Sequence, residues 1–317
     1  MSVALNIIAK ESGKVEELMV EMFMNSIDNV FDQIVFVDNG CSDNVRAIVE
    51  KYKNRGNSDW KYIEFYGNQG FDALRNKALE HSVNSGIDWV VWHDCDDVIN
   101  RNDYEHLKKY IMTDKEYARI TQRFYHFMGS PFCIQIERSY HIKNNIFRIT
   151  KDTKWGGGVH EAVVGIPKGK NFLSKDMAYF HFGYGLKASY EVFLRWLKYD
   201  MISDGNLKRY KEAKEGVEWN LDHGNPAGVI ESRVKDNVVI PFIGVYPEAC
   251  RIIFDEYFKD GKMIQNNVVD NVREFQKWII ETNNDPLWIE WQAKKEECGN
   301  WYDTYDWAVQ RFVGEGK

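Results

Sequence analysis

The first hundred residues alternate strand-length apolar runs with segments of helical periodicity. No other feature of the chain constrains its fold as much. Residues 3–9 form one apolar run interrupted only by Asn6, and residues 13–28 then set Val15, Leu18, Met19, Met22, Phe23 and Ile27 at helical spacing. A second buried strand, 34–37, runs into Asp38-Asn39-Gly40, and Ser42 and Asp43 stand where they can cap a helix reaching about Lys53. Residues 60–66 read as a third strand, 70–83 as a helix, and 88–92 as a fourth strand that ends in His93-Asp94-Cys95-Asp96-Asp97. Strands alternating with helices of this length predict βαβ units and a mostly parallel sheet. Ligands of such sheets bind beyond the carboxyl ends of the strands, where Asp38 and Asp94 fall.

From residue 117 the pattern changes. Residues 118–127, 132–137, 141–150 and 177–182 read as strands of a more antiparallel layer, with the Gly-rich segment 155–161 among them. Beyond 186 the character is helical, with 188–203, 205–221, 246–259 and 265–283 as the best helices. The expected organisation is a nucleotide-binding catalytic domain over 1–185 and a helical region over 186–317 that packs on it or serves an acceptor. A length of 317 residues agrees with two such parts.

Composition narrows the partners. Asp and Glu number 48 against 41 Lys and Arg, which argues against a protein that holds nucleic acid by bulk charge. The basic residues Lys187, Arg195, Lys198, Lys208, Arg209, Lys211 and Lys214 keep a local positive face open. Aromatic residues are 15% of the chain, with eleven Trp, a bias toward large cores or platforms for sugars and bases. No run approaches the ~20 apolar residues of a membrane span, and the N-terminal segment lacks a basic leader, so it reads as a first strand and not a signal peptide. The five cysteines contain no CxxC pair, which fits reduced thiols in a cytoplasm.

The sharpest chemical signal is Asp94-Cys95-Asp96-Asp97. Three carboxylates in four residues repel one another, and at a strand end in a cleft a cation offsets that repulsion. Hard oxygen donors select Mg²⁺ or Mn²⁺, and such a metal binds a diphosphate in turn. The competing reading is a solvated acidic loop, or Asp96 and Asp97 capping the helix that starts near Asn102. Arg75-Asn76 in the preceding helix offers a guanidinium to a phosphate or to an acidic neighbour. His93 reads as packed or solvent-facing, not as a ligand.

Taken in order, Val-Asp-Asn-Gly-Cys-Ser-Asp (37–43), Gly-Phe-Asp-Ala-Leu-Arg-Asn-Lys-Ala-Leu (70–79), Val-Trp-His-Asp-Cys-Asp-Asp (91–97), Trp-Gly-Gly-Gly-Val-His-Glu (155–161) and His-Phe-Gly-Tyr (181–184) resemble the family 2 glycosyltransferases of GT-A fold. The subset in question carries a W-x-G-x-VHE segment and an H-x-GY motif, and the resemblance covers about residues 3–200. It implies an α/β, Rossmann-like mixed sheet flanked by helices, followed by an α-helical C-terminal extension. It also implies a metal-dependent inverting transferase, using Mn²⁺ or Mg²⁺, that moves a hexosyl or pentosyl group from a nucleotide sugar, a UDP-sugar first among them. The acceptor hydroxyl would belong to a glycan, a protein or a hydroxylated nucleic-acid base.

By this resemblance Asp38 binds the nucleotide base, with Glu11 near base or ribose and Asp43, Arg75 and Asp94 completing the donor site. Asp94 and Asp96 are the metal-binding pair, joined by His181. Glu161, His160 and Asp97 are the catalytic candidates, Glu161 as general base. Where the family has a K-N-E turn, Lys10-Glu11 here lacks the Asn, and Cys95 replaces a small Ala between the paired carboxylates. Two other readings compete. One is a phosphatase using the Asp pair, against which stand the late position of the motif and the Val98 that follows it. The other is a non-catalytic carbohydrate- or nucleic-acid-binding protein on the same fold. A dehydrogenase is disfavoured because no GxGxxG follows the first strand.

Overall fold

The computed structural model describes residues 1–11, 13–67, 70–128, 131, 133–135, 142–157, 162–186, 239–242, 246–253, 258–259 and 262–263. The elements in chain order begin with β1 (Val3–Ala9), α1 (Lys14–Ile27), β2 (Gln33–Asp38), α2 (Asp43–Lys53), β3 (Asp59–Glu64), α3 (Phe71–Asn84) and β4 (Trp89–His93). They continue with β5 (Asp97–Val98), α4 (Arg101–His106), β6 (Tyr117–Met128), β7 (Cys133–Gln135), β8 (Ile142–Arg148), β9 (Lys154–Gly156), β10 (Ala162–Val164), β11 (Lys170–Tyr184) and β12 (Val239–Pro241). The chain forms two compact units. The first comprises Met1–Phe124, Ile142–Phe180 and Pro247–Ile252, and the second Tyr125–His141, His181–Tyr246 and Ile253–Lys317.

In the first unit the strands run in the order β6-β8-β4-β1-β2-β3. The pairs β1–β2, β1–β4 and β2–β3 are parallel, whereas β4–β8 and β6–β8 are antiparallel. The result is the mixed α/β architecture that the βαβ pattern predicts, consistent with a GT-A Rossmann-like fold. Every residue of β1 and β2 is buried, as expected for strands covered on both faces. Period-2 alternation sorts them. Val3, Leu5, Ile7 and Phe36 join Phe23, Met24, Ile27, Val45 and Val49 of α1 and α2 in the main core. Ile8, Val35 and Val37 point the other way, onto Leu74 and Ala78 of α3. The Ser82 hydroxyl of α3 donates to Asn6 Oδ1 at 2.8 Å, which explains a polar residue within the first apolar run.

Ser42 caps α2, its hydroxyl accepting from the Val45 N–H, as its position predicts. The cap of α4 is Asn100, not Asp96 or Asp97: its side chain accepts from the Asn102 N–H. In the second unit, β7 pairs antiparallel with β12, and Phe127 stacks on Phe182 with ring centroids 4.4 Å apart. The helices expected at 188–203, 205–221 and 265–283 lie outside the described residues, as does most of the expected C-terminal extension. Within the expected helix 246–259, Glu248–Cys250 is a 3₁₀ turn that leads into α-helical residues 251–253, and Phe258–Lys259 pairs as a strand with Lys262–Met263. Among the described residues, no helix is long and apolar enough to cross a membrane.

Candidate active site

β1 lies between β2 and β4, so the chain leaves it toward one side of the sheet and returns from β3 to the other. Ligands of open α/β sheets bind at this kind of switch point, outside the carboxyl ends of the strands. The Asn39 N–H donates to the Ala9 carbonyl and the Ser42 N–H to the Glu11 carbonyl, which ties the loops after β1 and β2 together. Register pairs Ile7 with His93 and Ala9 with Asp38. Glu11, Asp38 and the turn Asp94–Asp97 therefore share one sheet edge.

Asp38 is fully buried. Its Oδ1 accepts the N–H groups of Gly40 and Cys41, each at 2.7 Å. Gly40 has φ +110, a left-handed conformation that favours glycine. Oδ2 accepts from Arg46 Nε at 2.8 Å and from the Tyr62 hydroxyl. Burial alone would raise this carboxyl, but hydrogen bonds from Cys41, Tyr62, Gly40 and Arg46 outweigh it and hold its pKa below the ordinary value. A carboxylate offers about four lone-pair sites, and all four are occupied. As placed, Asp38 organises the 39–41 loop, and a base could reach it only by displacing one of these donors. The group facing outward is Arg46, which also reaches Asp43 at 3.4 Å and the exposed Tyr66 hydroxyl at 3.1 Å. Asp43 itself is an exposed acid in the first turn of α2.

The acidic motif is a tight turn after β4. The Asp97 N–H donates to the Asp94 carbonyl at 3.0 Å, and the Asp94 N–H donates to Asp97 Oδ2 at 3.2 Å. The three carboxylates then differ in role. Asp97 is fully buried, with Oδ2 against His93 Nδ1 at 2.9 Å and Lys143 Nζ at 3.3 Å. Burial lowers the His93 pKa against the pull of Asp97, and Nδ1, facing a carboxylate that can only accept, is the donor of that contact. Behind it, Nε2 lies 2.6 Å from the Tyr104 hydroxyl, which donates to Gln122 Oε1, and Asn145 Nδ2 donates to the same oxygen. This buried polar chain pins the turn from below, and His93 is packed as the sequence suggests.

Asp94 is about one-third exposed. Arg75 meets its Oδ1 at 3.0 Å and Lys143 its Oδ2 at 3.4 Å. Burial pushes Asp94 up, but the charges of Lys143 and Arg75 prevail and hold it at about 2. Asp96 is buried at 7% exposure. The donor set fits a hard divalent cation in chemistry: two carboxylates, Asp94 and Asp96, in one turn at a crevice edge. The cluster already draws in two cationic side chains, which shows how strongly it needs positive charge. Asp97 is enclosed by His93 and Lys143, and one of its carboxylate oxygens lies within 4.8 Å of one of Asp96.

Arg75 is itself held, its guanidinium 3.9 Å from the Trp92 ring and 5.5 Å from the Trp155 ring. Its neighbour Asn76 clamps the backbone of Trp155, donating to the carbonyl at 2.9 Å and accepting the N–H at 2.8 Å. One turn of α3 thus grips both the acidic turn and the β9–β10 pair, whose register sets Trp155 opposite Val163. Asn76→Leu should leave both backbone groups of Trp155 unpaired and lower stability by about 1–3 kcal/mol, measured by urea unfolding; an unchanged midpoint would contradict the clamp. His160 and Glu161 lie between β9 and β10, outside the described residues. His181 belongs to the second unit, where its ring stacks on His126 at 5.0 Å with Tyr184 beside both.

Sequence reasoning missed Lys143, Arg46 and His126. Lys143 comes from β8, opposite Gln122 of β6, some fifty residues from the acid it neutralises. No local pattern announces such a contact. Arg46 follows the recognised 37–43 segment by three residues, and one helical turn was the available clue.

Residues 16–166 match the family model described as Glycosyl transferase family 2. The matched segment contains the acidic turn, Arg75-Asn76 and Lys143. No curated protein matches the chain. Solved structures similar to it include TarS 1-349 of S. aureus, at 18% identity over 62% of this chain and 63% of that one, TM-score 0.40. The same protein in complex with UDP-GlcNAc gives 17% identity over 63% and 67%, TM-score 0.41. The mannosyltransferase PcManGT of Pyrobaculum calidifontis, in complex with GDP-Man and Mn²⁺, gives 11% identity over 99% and 88%, TM-score 0.40. The chain thus spans about 63% of the length of TarS 1-349.

Proposed function

We propose that this protein is a cytoplasmic, metal-dependent inverting glycosyltransferase that uses a nucleotide sugar, a UDP-sugar first among them. The observation that carries the reading is the turn Asp94–Asp97 at the switch point of the sheet, within the segment that matches the family model. Asp94 and Asp96 would hold Mn²⁺ or Mg²⁺, with His181 as the further ligand that the sequence resemblance implies. When bound, the metal supplies charge stabilisation to the departing diphosphate. Glu161 accepts the proton of the acceptor hydroxyl, whose oxygen bonds to the anomeric carbon as the bond from that carbon to the diphosphate oxygen breaks. His160 would serve the acceptor side, as the sequence resemblance implies. Arg75 orients Asp94, and the loop organised by Asp38, with Glu11 and Asp43 near it, receives the nucleoside. The acceptor is a glycan, a protein or a hydroxylated base, chosen by the aromatic-rich region after 186. A calorimetric titration with UDP tests the donor site: heat that appears with Mn²⁺ and vanishes with EDTA supports it, and UDP binding indifferent to metal contradicts it.

A further inference from the structure

We infer that Lys143 is a built-in counter-cation that weakens divalent-metal binding to the free acidic turn, so that the metal binds tightly only together with an anionic ligand. The inference rests on the reading that this turn takes a divalent cation. Its ground is the placement of one ammonium group. Lys143 Nζ lies 3.4 Å from Asp94 Oδ2 and 3.3 Å from Asp97 Oδ2, and 3.9 Å from the Trp92 ring and 5.4 Å from the Tyr179 ring. The side chain is 18% exposed.

The charges around the turn then decide the matter. Asp94, Asp96 and Asp97 carry three negative charges, and Arg75 and Lys143 return two. One net negative charge is a poor lure for a divalent cation, which must also compete with Lys143 for Asp94 Oδ2. Arg75 is less free to withdraw, because it is the more buried of the two, 7% against 18% exposed. Without the ammonium the turn would carry two net negative charges, and a divalent cation would neutralise them. A nucleoside diphosphate has the same effect by a different route: its negative charges offset the surplus positive charge once the metal is in, and they give Lys143 an alternative partner. Lys143 is in this sense a positioning residue that couples metal binding to donor binding.

The test is Mn²⁺ binding to the whole protein, read from the free-Mn²⁺ electron paramagnetic resonance signal, with and without UDP as the anionic probe. The wild type should bind Mn²⁺ weakly alone and markedly tighter with UDP. Lys143→Gln, whose amide can still donate to Asp97, should bind Mn²⁺ alone about tenfold or more tighter than the wild type, on the scale of charges a few Å apart in a partly buried site. The further gain on adding UDP should shrink correspondingly. Lys143→Arg keeps the charge and should behave as the wild type. Equal or weaker Mn²⁺ affinity in Lys143→Gln, or Lys143→Arg binding as tightly as Lys143→Gln, overturns the inference while leaving the metal site standing. Absence of Mn²⁺ binding in every form, with and without UDP, overturns the inference and the metal-dependent reading together.

Discussion

Replacing Asp96 with alanine is expected to abolish sugar transfer and Mn²⁺-dependent UDP binding while leaving thermal unfolding largely intact. Asp96 lies in the middle of the turn, and the His93 and Lys143 contacts that pin the turn are made through Asp94 and Asp97. With two carboxylates to hold a cation, loss of one removes half the anionic donor set. Contributions of metal and preorganised charge to leaving-group stabilisation make a loss of about 10²–10³-fold or more the reasonable scale. Nucleotide release measured beside a melting curve separates the two effects. Full activity in Asp96→Ala would remove this residue from the chemistry.

One residue further on, the opposite outcome is expected. Asp97→Ala should destabilise the first unit severely, because it leaves Lys143 and the fully buried His93 without the carboxylate between them. Breaking a buried ionic contact by removing one partner costs about 3–5 kcal/mol, against a typical domain stability of about 5–15 kcal/mol. The loss should appear as a lower urea midpoint. Asp97→Asn should recover part of it, since an amide oxygen still accepts the His93 Nδ1–H. If Asp97→Ala melts like the wild type but loses transfer, the residue is catalytic after all and not a support. The contrast between positions 96 and 97 is the sharper test, because sequence alone makes them look interchangeable.

The βαβ frame was legible because its signals are local. The fully buried strands β1 and β2 read as apolar runs, Ser42 stands at its cap position, and the helix α3 carries its apolar residues at 3.6-residue spacing. The acidic turn was legible too, as three carboxylates after a strand. Its internal division of labour was not. Asp94, Asp96 and Asp97 differ through His93, Lys143 and Arg75, and two of those three partners are distant in sequence. Asp38 is the clearest case of the same limit. Its place after β2 marked it for a ligand, whereas its four internal donors, one of them Tyr62 from β3, show it organising the loop on which a ligand would rest. The short pair β9–β10 escaped notice because three-residue strands flanked by glycine carry almost no periodicity.

The most direct test of the whole account is incubation of the protein with a panel of UDP- and GDP-sugars in Mn²⁺, following release of the nucleoside diphosphate. The account predicts release from a UDP-sugar, lost on adding EDTA and lost in Asp96→Ala. Undiminished release in EDTA, or release of inorganic phosphate from simple esters with no release from any nucleotide sugar, would contradict it.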